Sequence, residues 1–194
     1  MKPPWSSGGQ PADAELVARA RKGDGAGFDA LVRRHYRAAY AVALAVLGRR
    51  DDAEDICQEA WIRVLERIDD CRDPSRFVYW MLQIVRNRAR NHLAYRKVRH
   101  ASSLEETPEH AAPTTAGSDV LLRGRLEAAL GELTEVQREV VLLHDLEGFE
   151  HREIGESLGI SEVMSRQHLF RARQQLRGIL GERARDDLRI GREE

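Results

Sequence analysis

The chain has 194 residues, 42% of them hydrophobic and 32% charged, which is too apolar for a disordered chain and too charged for a membrane-embedded one. Its longest apolar run, Ala38 to Leu47, is far short of the roughly 20 residues of a membrane span, and the opening MKPPWSSGGQPAD lacks the apolar stretch of a signal peptide. A cytoplasmic protein without membrane insertion is therefore expected. The net charge of −1 conceals a segregation along the chain: Asp51 to Glu66 holds six acids against Arg63 alone, Arg86 to His100 holds six bases and no acid, and Arg166 to Arg177 holds four arginines and no acid. Two basic stripes in a near-neutral protein are two places that can face a phosphate backbone, and the acidic surface is left for a different partner.

Residues 1–12 read as an unstructured tail. From there apolar residues recur at three- and four-residue spacing and no turn-bounded alternating pattern appears, so an all-α protein is expected. Phe28, Leu31, Val32, His35, Tyr36, Ala39, Val42, Ala43, Val46 and Leu47 make one broad helical stripe, with Gly48 as its stop. Asp51 or Asp52 is placed to cap the next helix, whose Ala53, Ile56, Cys57, Ala60, Val64, Leu65 and Ile68 share the inner face while its acids project from the other. Asp69 to Arg76 (DDCRDPSR) is a turn-rich loop, and Phe77, Trp80, Met81, Ile84 and Val85 then open a helix that runs into the first basic stripe. Trp80 falls on that apolar stripe and is expected in the core, whereas Tyr79 lies off it and is free to stack on a base.

Ala101 to Ser118 has two prolines, no aromatic and no base, and reads as a flexible acidic linker between two small helical domains, 13–100 and 119–182, with 183–194 as a tail. In the second domain Leu121, Leu122, Arg125, Ala129 and Leu130 suggest a helix, and Thr134-Glu135-Val136-Gln137 is a capping box opening another, with Val136, Val140 and Leu143 inward. His151 to Arg173 has the mechanics of a helix-turn-helix. Ile154 and Leu158 give an apolar face, Gly155 allows close packing, Gly159 makes the turn and Ser161 caps the second helix. That helix presents Arg166, Gln167, Phe170, Arg171 and Arg173 outward, and Arg and Gln can read guanine and adenine edges in a major groove. Ser165 stands where many such motifs carry an apolar residue, so looser packing is expected there. Cys57 and Cys71 form no C-x-x-C pair, the seven histidines form no close ligand set, and no phosphate-cradling loop or nucleophile motif stands out, so neither a metal, a cofactor nor an enzymatic activity is expected.

EIGESLGIS followed by LFRARQQLR resembles the promoter-reading domain of sigma factors of the extracytoplasmic-function type. Independently, DDAEDICQEAWIRVLERI resembles that family's acidic helix and FVYWMLQIVRNRARNHL its F-x-x-W helix, so the likeness covers about Leu16 to Leu180. The resemblance implies core RNA polymerase and promoter DNA as partners, and an anti-sigma factor as regulator. It implies polymerase binding by Asp52, Asp55, Gln58 and Glu59. Minus-10 recognition falls to Arg72, Ser75, Arg76, Tyr79, Asn87, Arg88 and Asn91, with a flipped base held by the loop Cys71 to Arg76. Minus-35 recognition falls to His151, Arg152, Arg166, Gln167, Phe170, Arg171 and Arg173. Where family members often have an aromatic and a glycine in the 71–76 loop, this chain has Cys71 and Asp73-Pro74, and Asn91 stands where Asp is frequent. An ordinary helix-turn-helix repressor or activator explains the second half of the chain and not the first, and a purely structural helical adaptor makes the arginines dispensable.

Overall fold

The computed structural model describes residues 11–102 and 118–190, with side chains described within 11–99 and 124–181; the tail before residue 11 and most of the expected linker fall outside that range. Helix is the regular structure throughout the described residues: α1 (Asp13–Arg21), α2 (Gly25–Leu47), α3 (Arg50–Glu66), α4 (Phe77–Ser102), α5 (Ser118–Gly131), α6 (Glu135–Val141), α7 (His151–Leu158) and α8 (Glu162–Ile190). α6 widens into a π-helical turn over Leu142–Leu146 before α7.

The helix ends follow local chemistry. The Asp24 carboxylate accepts from the Ala26 and Gly27 amides to start α2, and Gly48, at φ +71°, ends it with its N–H on Leu44 O. The Thr134–Gln137 capping box opens α6 as expected. α3 departs from expectation. It starts at Arg50 after an N-cap Arg49 that makes no side-chain cap bond, so Asp51 and Asp52 lie within the first turn, where their charge favours the amino end of the helix dipole without capping it. α8 runs past 182 to Ile190, through part of the segment expected as a tail, because Glu182, Arg183, Ala184 and Arg185 are all good helix formers.

α2 is the central element, packed against α1, α3 and α4 and also against α6 and its π-helical turn. The buried apolar cluster extends without a break from Leu16 in α1 to Ala172 in α8, so the helices before and after residues 103–117 share one core. Phe77 and Phe149, both fully buried, each contribute about 1.5–3 kcal/mol from removal of apolar surface. Two residues expected on the inner stripes are placed otherwise. Leu65 is 48% exposed while Trp61 is 6% exposed, since the inner face of α3 passes through Ala53, Cys57, Ala60 and Val64 and its edge falls on 61, not 65. Trp80 is half-buried, because the inner face of α4 follows Phe77, Val78, Met81, Leu82 and Val85.

Candidate nucleic-acid interface

The helix-turn-helix is built as tightly as a backbone allows. Gly155 on α7 faces the turn before α8 so closely that a Cβ there would lie 2.7 Å from Ile160 O, and Gly159 ends α7 at φ +70°. The Ile160 amide donates to Gly155 O at 3.0 Å, and Ser161 Oγ accepts from the Met164 amide at 3.1 Å, capping α8 as expected. Ser165 is fully buried and shares a 3.0 Å hydrogen bond with His151 Nδ1. The looser packing expected at this serine is therefore replaced by a polar tie between the two helices of the motif. The His151 ring also stacks on His144 with centroids 4.4 Å apart, and His144 Nδ1 donates to Phe149 O at 2.8 Å. Burial, then the neighbouring His144 and Arg166, pull the His151 pKa down, so it is held neutral.

Outward from this scaffold, Arg152, Arg166, Gln167, Phe170, Arg171 and Arg173 are all exposed, Phe170 at 69%. Arg166 and Phe170 stand four residues apart, as do Gln167 and Arg171, so two adjacent rows cover one face of α8. Arg166 is paired with Glu162 and Arg152 with Glu156, while Arg173 Nε reaches back 3.2 Å to Asp145 on the π-helical turn. Of the seven residues expected at this end, His151 is the one turned into the scaffold.

At the other end, the loop before α4 makes two 3-10 turns, Ile68–Asp70 and Pro74–Arg76. Asp73 accepts from both the amide and the hydroxyl of Ser75, at 3.0 and 2.6 Å, so Ser75 is engaged in shaping the turn. Arg21 of α1 holds the same loop from behind by donating to Ile68 O and Cys71 O, a support that no local sequence pattern announces. Between loop and helix lies a cleft of about 330 Å³ lined by Cys71, Arg72, Arg76, Tyr79, Trp80 and Gln83, with Glu156 of α7 at its edge. The Arg76 guanidinium sits 5.4 Å from the centre of the Tyr79 ring. Burial first, and then Glu153 and Glu156, push the Tyr79 phenol up to about 12, so it stays protonated.

Asn87, Arg88 and Asn91 lie on the opposite edge of α4 and line a second, larger cleft of about 500 Å³ shared with Glu59 and Ile62 of α3. The residues expected to meet DNA and those expected to meet polymerase thus adjoin there, and Arg88 pairs directly with Glu59. On α3, Asp55, Gln58, Glu59, Ile62 and Leu65 form an outer stripe, with Ile62 61% exposed. Asp52 is set apart from it, partly covered and paired with Arg96. Arg86 was not singled out by the sequence. It is 2% exposed and pairs with the equally buried Glu139 of α6. Its signal was its place on the apolar face of α4, between Leu82, Val85 and Ala89.

Two family profiles match the chain: Sigma-70 region 2 over residues 31–99 and Sigma-70 region 4 over residues 123–176. The ECF RNA polymerase sigma-E factor of Haemophilus influenzae is 30% identical over 179 residues, which span 86% of this chain and 94% of that protein. The chain belongs to the sigma factors of the extracytoplasmic-function type. Another relative of this sigma factor, the ECF RNA polymerase sigma factor SigE of Mycolicibacterium smegmatis, is 34% identical over 158 residues, covering 79% of the present chain and 61% of SigE. Among solved structures, CnrH in complex with the cytosolic domain of CnrY superposes with a TM-score of 0.67 at 27% identity, covering 89% of this sigma factor and 99% of CnrH.

Proposed function

We propose that this sigma factor binds core RNA polymerase and directs initiation at promoters whose minus-35 element is read by α8 and whose minus-10 strand is held by α4 and the 71–76 loop. Residues 13–100 and 119–182 are the two working units, and the protein acts in the cytoplasm as an initiation factor with no catalytic centre of its own. The observation that carries the reading is the α8 face. Arg166, Gln167, Phe170 and Arg171 project from a motif whose two helices are locked by the Gly155 contact and the His151–Ser165 tie, so a rigid frame presents base-reading side chains to one groove. His151 serves that frame, with Arg152 on its rim. The outer stripe of α3 suits a polymerase contact because it joins acids to two exposed apolar side chains, Ile62 and Leu65. The similar CnrH was solved with a protein bound to it, the cytosolic domain of CnrY, and the family resemblance makes a partner of anti-sigma type the regulator we assign to this factor.

Selection from a promoter library tests the α8 reading. Arg166→Ala or Gln167→Ala removes a base-edge contact that contributes about 1–3 kcal/mol of discrimination, so the preferred minus-35 sequence relaxes at one position. Arg171→Ala weakens all promoters alike and flattens the salt dependence. Unchanged preference in both of the first two variants contradicts the assignment of α8.

A further inference from the structure

The loop that carries Arg72, Ser75 and Arg76 is held from two sides. Within the loop, Asp73 accepts from the amide and hydroxyl of Ser75, and Cys71 Sγ donates to Asp73 O at 3.6 Å. Behind it stands Arg21, the last residue of α1. Arg21 Nε donates to Ile68 O at 3.2 Å, and Nη2 donates both to Ile68 O, at 3.1 Å, and to Cys71 O. One guanidinium thus gathers the carbonyls at the two ends of the first 3-10 turn, through charge-assisted bonds of the stronger kind. Asp69 lies 3.8 Å from the same group but is 86% exposed, so the carbonyls are its main partners. With Cys71 drawn inward and buried, Arg72 is left exposed on the side of the 330 Å³ cleft, which it lines and Arg21 does not.

An arginine can position a loop only if its own helix is fixed, and α1 is fixed along its length. Leu16 and Val17 are fully buried, Asp13 accepts from Arg34 at 2.6 Å and shares a 2.9 Å hydrogen bond with His35 Nε2, and Arg19 donates to Asp24 at 2.7 Å. Where α1 crosses α2, a Cβ on Gly27 would lie 2.8 Å from Arg19 Cβ and 3.2 Å from Leu16 O, so the two helices meet without a side chain between them. α1 packs in turn against both 3-10 turns of the loop.

We infer, on the strand-holding role proposed above for the 71–76 loop, that Arg21 is a positioning residue for minus-10 recognition. Through the Ile68 and Cys71 carbonyls it sets the shape of the pocket that holds the strand, and with it the base that the pocket accepts, without touching DNA itself. A pocket that selects among bases must hold its groups to within about 0.5 Å. Two short 3-10 turns have too few bonds of their own to keep that tolerance, and the seated α1 supplies the rest. The loop is then ordered when the chain folds and not when the strand arrives, which favours binding of the base that fits.

Run-off transcription by the full chain with core RNA polymerase tests this, on templates whose minus-35 element is fixed and whose minus-10 element is randomised. The readout is the ratio of preferred to next-best base at each minus-10 position, a quantity that a variant does not move merely by lowering the fraction of folded protein. Arg21→Met keeps an apolar stem and removes the donors. Its ratio at one position should fall about tenfold, within the loss of about a hundredfold that a 1 Å misplacement can cause, while minus-35 duplex binding stays at the wild-type level. Arg21→Lys brings an ammonium toward the same two oxygens and should restore most of the ratio. Arg19→Gln, which breaks the neighbouring pair with Asp24, is the control on α1 and should keep the wild-type ratios. Should Arg21→Met be too unstable to assay, Arg21→Gln, whose shorter neutral amide cannot replace the guanidinium at both oxygens, carries the same expectation. Unchanged ratios in the Arg21 variants, or an equal fall in Arg19→Gln, would overturn the positioning role. Arg72→Ala and Tyr79→Leu, changes in the cleft itself, separate that failure from a deeper one. If they alter the ratios and the Arg21 variants do not, the positioning role alone falls; if they too leave every ratio unchanged, the strand-holding role of the loop falls and the positioning role with it.

Discussion

Gly155→Ala introduces one methyl group at the point where α7 and the turn before α8 are closest. The new Cβ would sit 2.7 Å from Ile160 O and 3.4 Å from the Glu162 amide nitrogen. The nearer atom is backbone, held in place by the Ile160 amide bonding back to Gly155 O, so no side chain can swing away to make room. The turn must open, which loosens the Ser161 cap and the His151–Ser165 bond together. Overpacking of this kind costs about 1–3 kcal/mol. At roughly 2–4 °C per kcal/mol for a chain of this size, the midpoint of thermal unfolding should fall by about 2–12 °C. Gly124→Ala is the matched control, since its Cβ meets nothing within 4 Å inside α5 and should stabilise by up to about 1 kcal/mol through helix propensity. Calorimetry of the three proteins, with minus-35 duplex binding in parallel, checks both effects. A Gly155→Ala midpoint within a degree of the wild type would refute the close-packing account of the motif.

Further outcomes follow from the same geometry. His151 has its pKa lowered in the fold, so the folded state favours the neutral ring; stability is complete above the unfolded value of about 6.5 and declines as pH falls from there toward the folded value. His151→Gln should therefore remove part of the loss in melting temperature between pH 7.5 and 5.5, and identical slopes for the two proteins would contradict a neutral, half-buried histidine. Asp55→Lys with Glu59→Lys should weaken co-purification with core polymerase at unchanged helical content by circular dichroism, and undiminished co-purification removes the α3 assignment. Cys57 is fully buried and its thiol is pushed up to about 12 by that burial. It should resist iodoacetamide at pH 8 in the native protein and react once unfolded; native alkylation would show that the α2–α3 core opens.

The parts legible in the sequence are those set by neighbours along the chain. The α2 stripe, the Gly48 stop, the Thr134–Gln137 box, the Gly159 turn and the Ser161 cap depend on three- and four-residue spacing and on single-residue backbone preferences, and each is found where the spacing put it. Stripe edges were less legible: at about 100° per residue Leu65 and Trp61 stand only about 40° apart around α3, yet the edge of the buried face runs between them, and on α4 the buried face takes in Val78 and leaves Trp80 half-exposed. Least legible were contacts between distant segments. Arg86 reads as one more member of a basic stripe until Glu139, 53 residues away, is brought against it, and Ser165 reads as a packing flaw until His151 supplies its partner from α7. Arg21 behind the 71–76 loop belongs to the same class, because its acceptors are backbone carbonyls and carry no sequence signature.

Run-off transcription from a promoter library with core RNA polymerase, with and without this sigma factor, measures promoter-specific initiation directly. Discrete transcripts should appear that require the factor and arise from templates sharing two unlike, non-palindromic elements, with Arg166→Ala shifting the upstream one alone. Transcription that does not depend on the factor, or binding of the chain alone as a dimer to a palindromic site, would contradict that role.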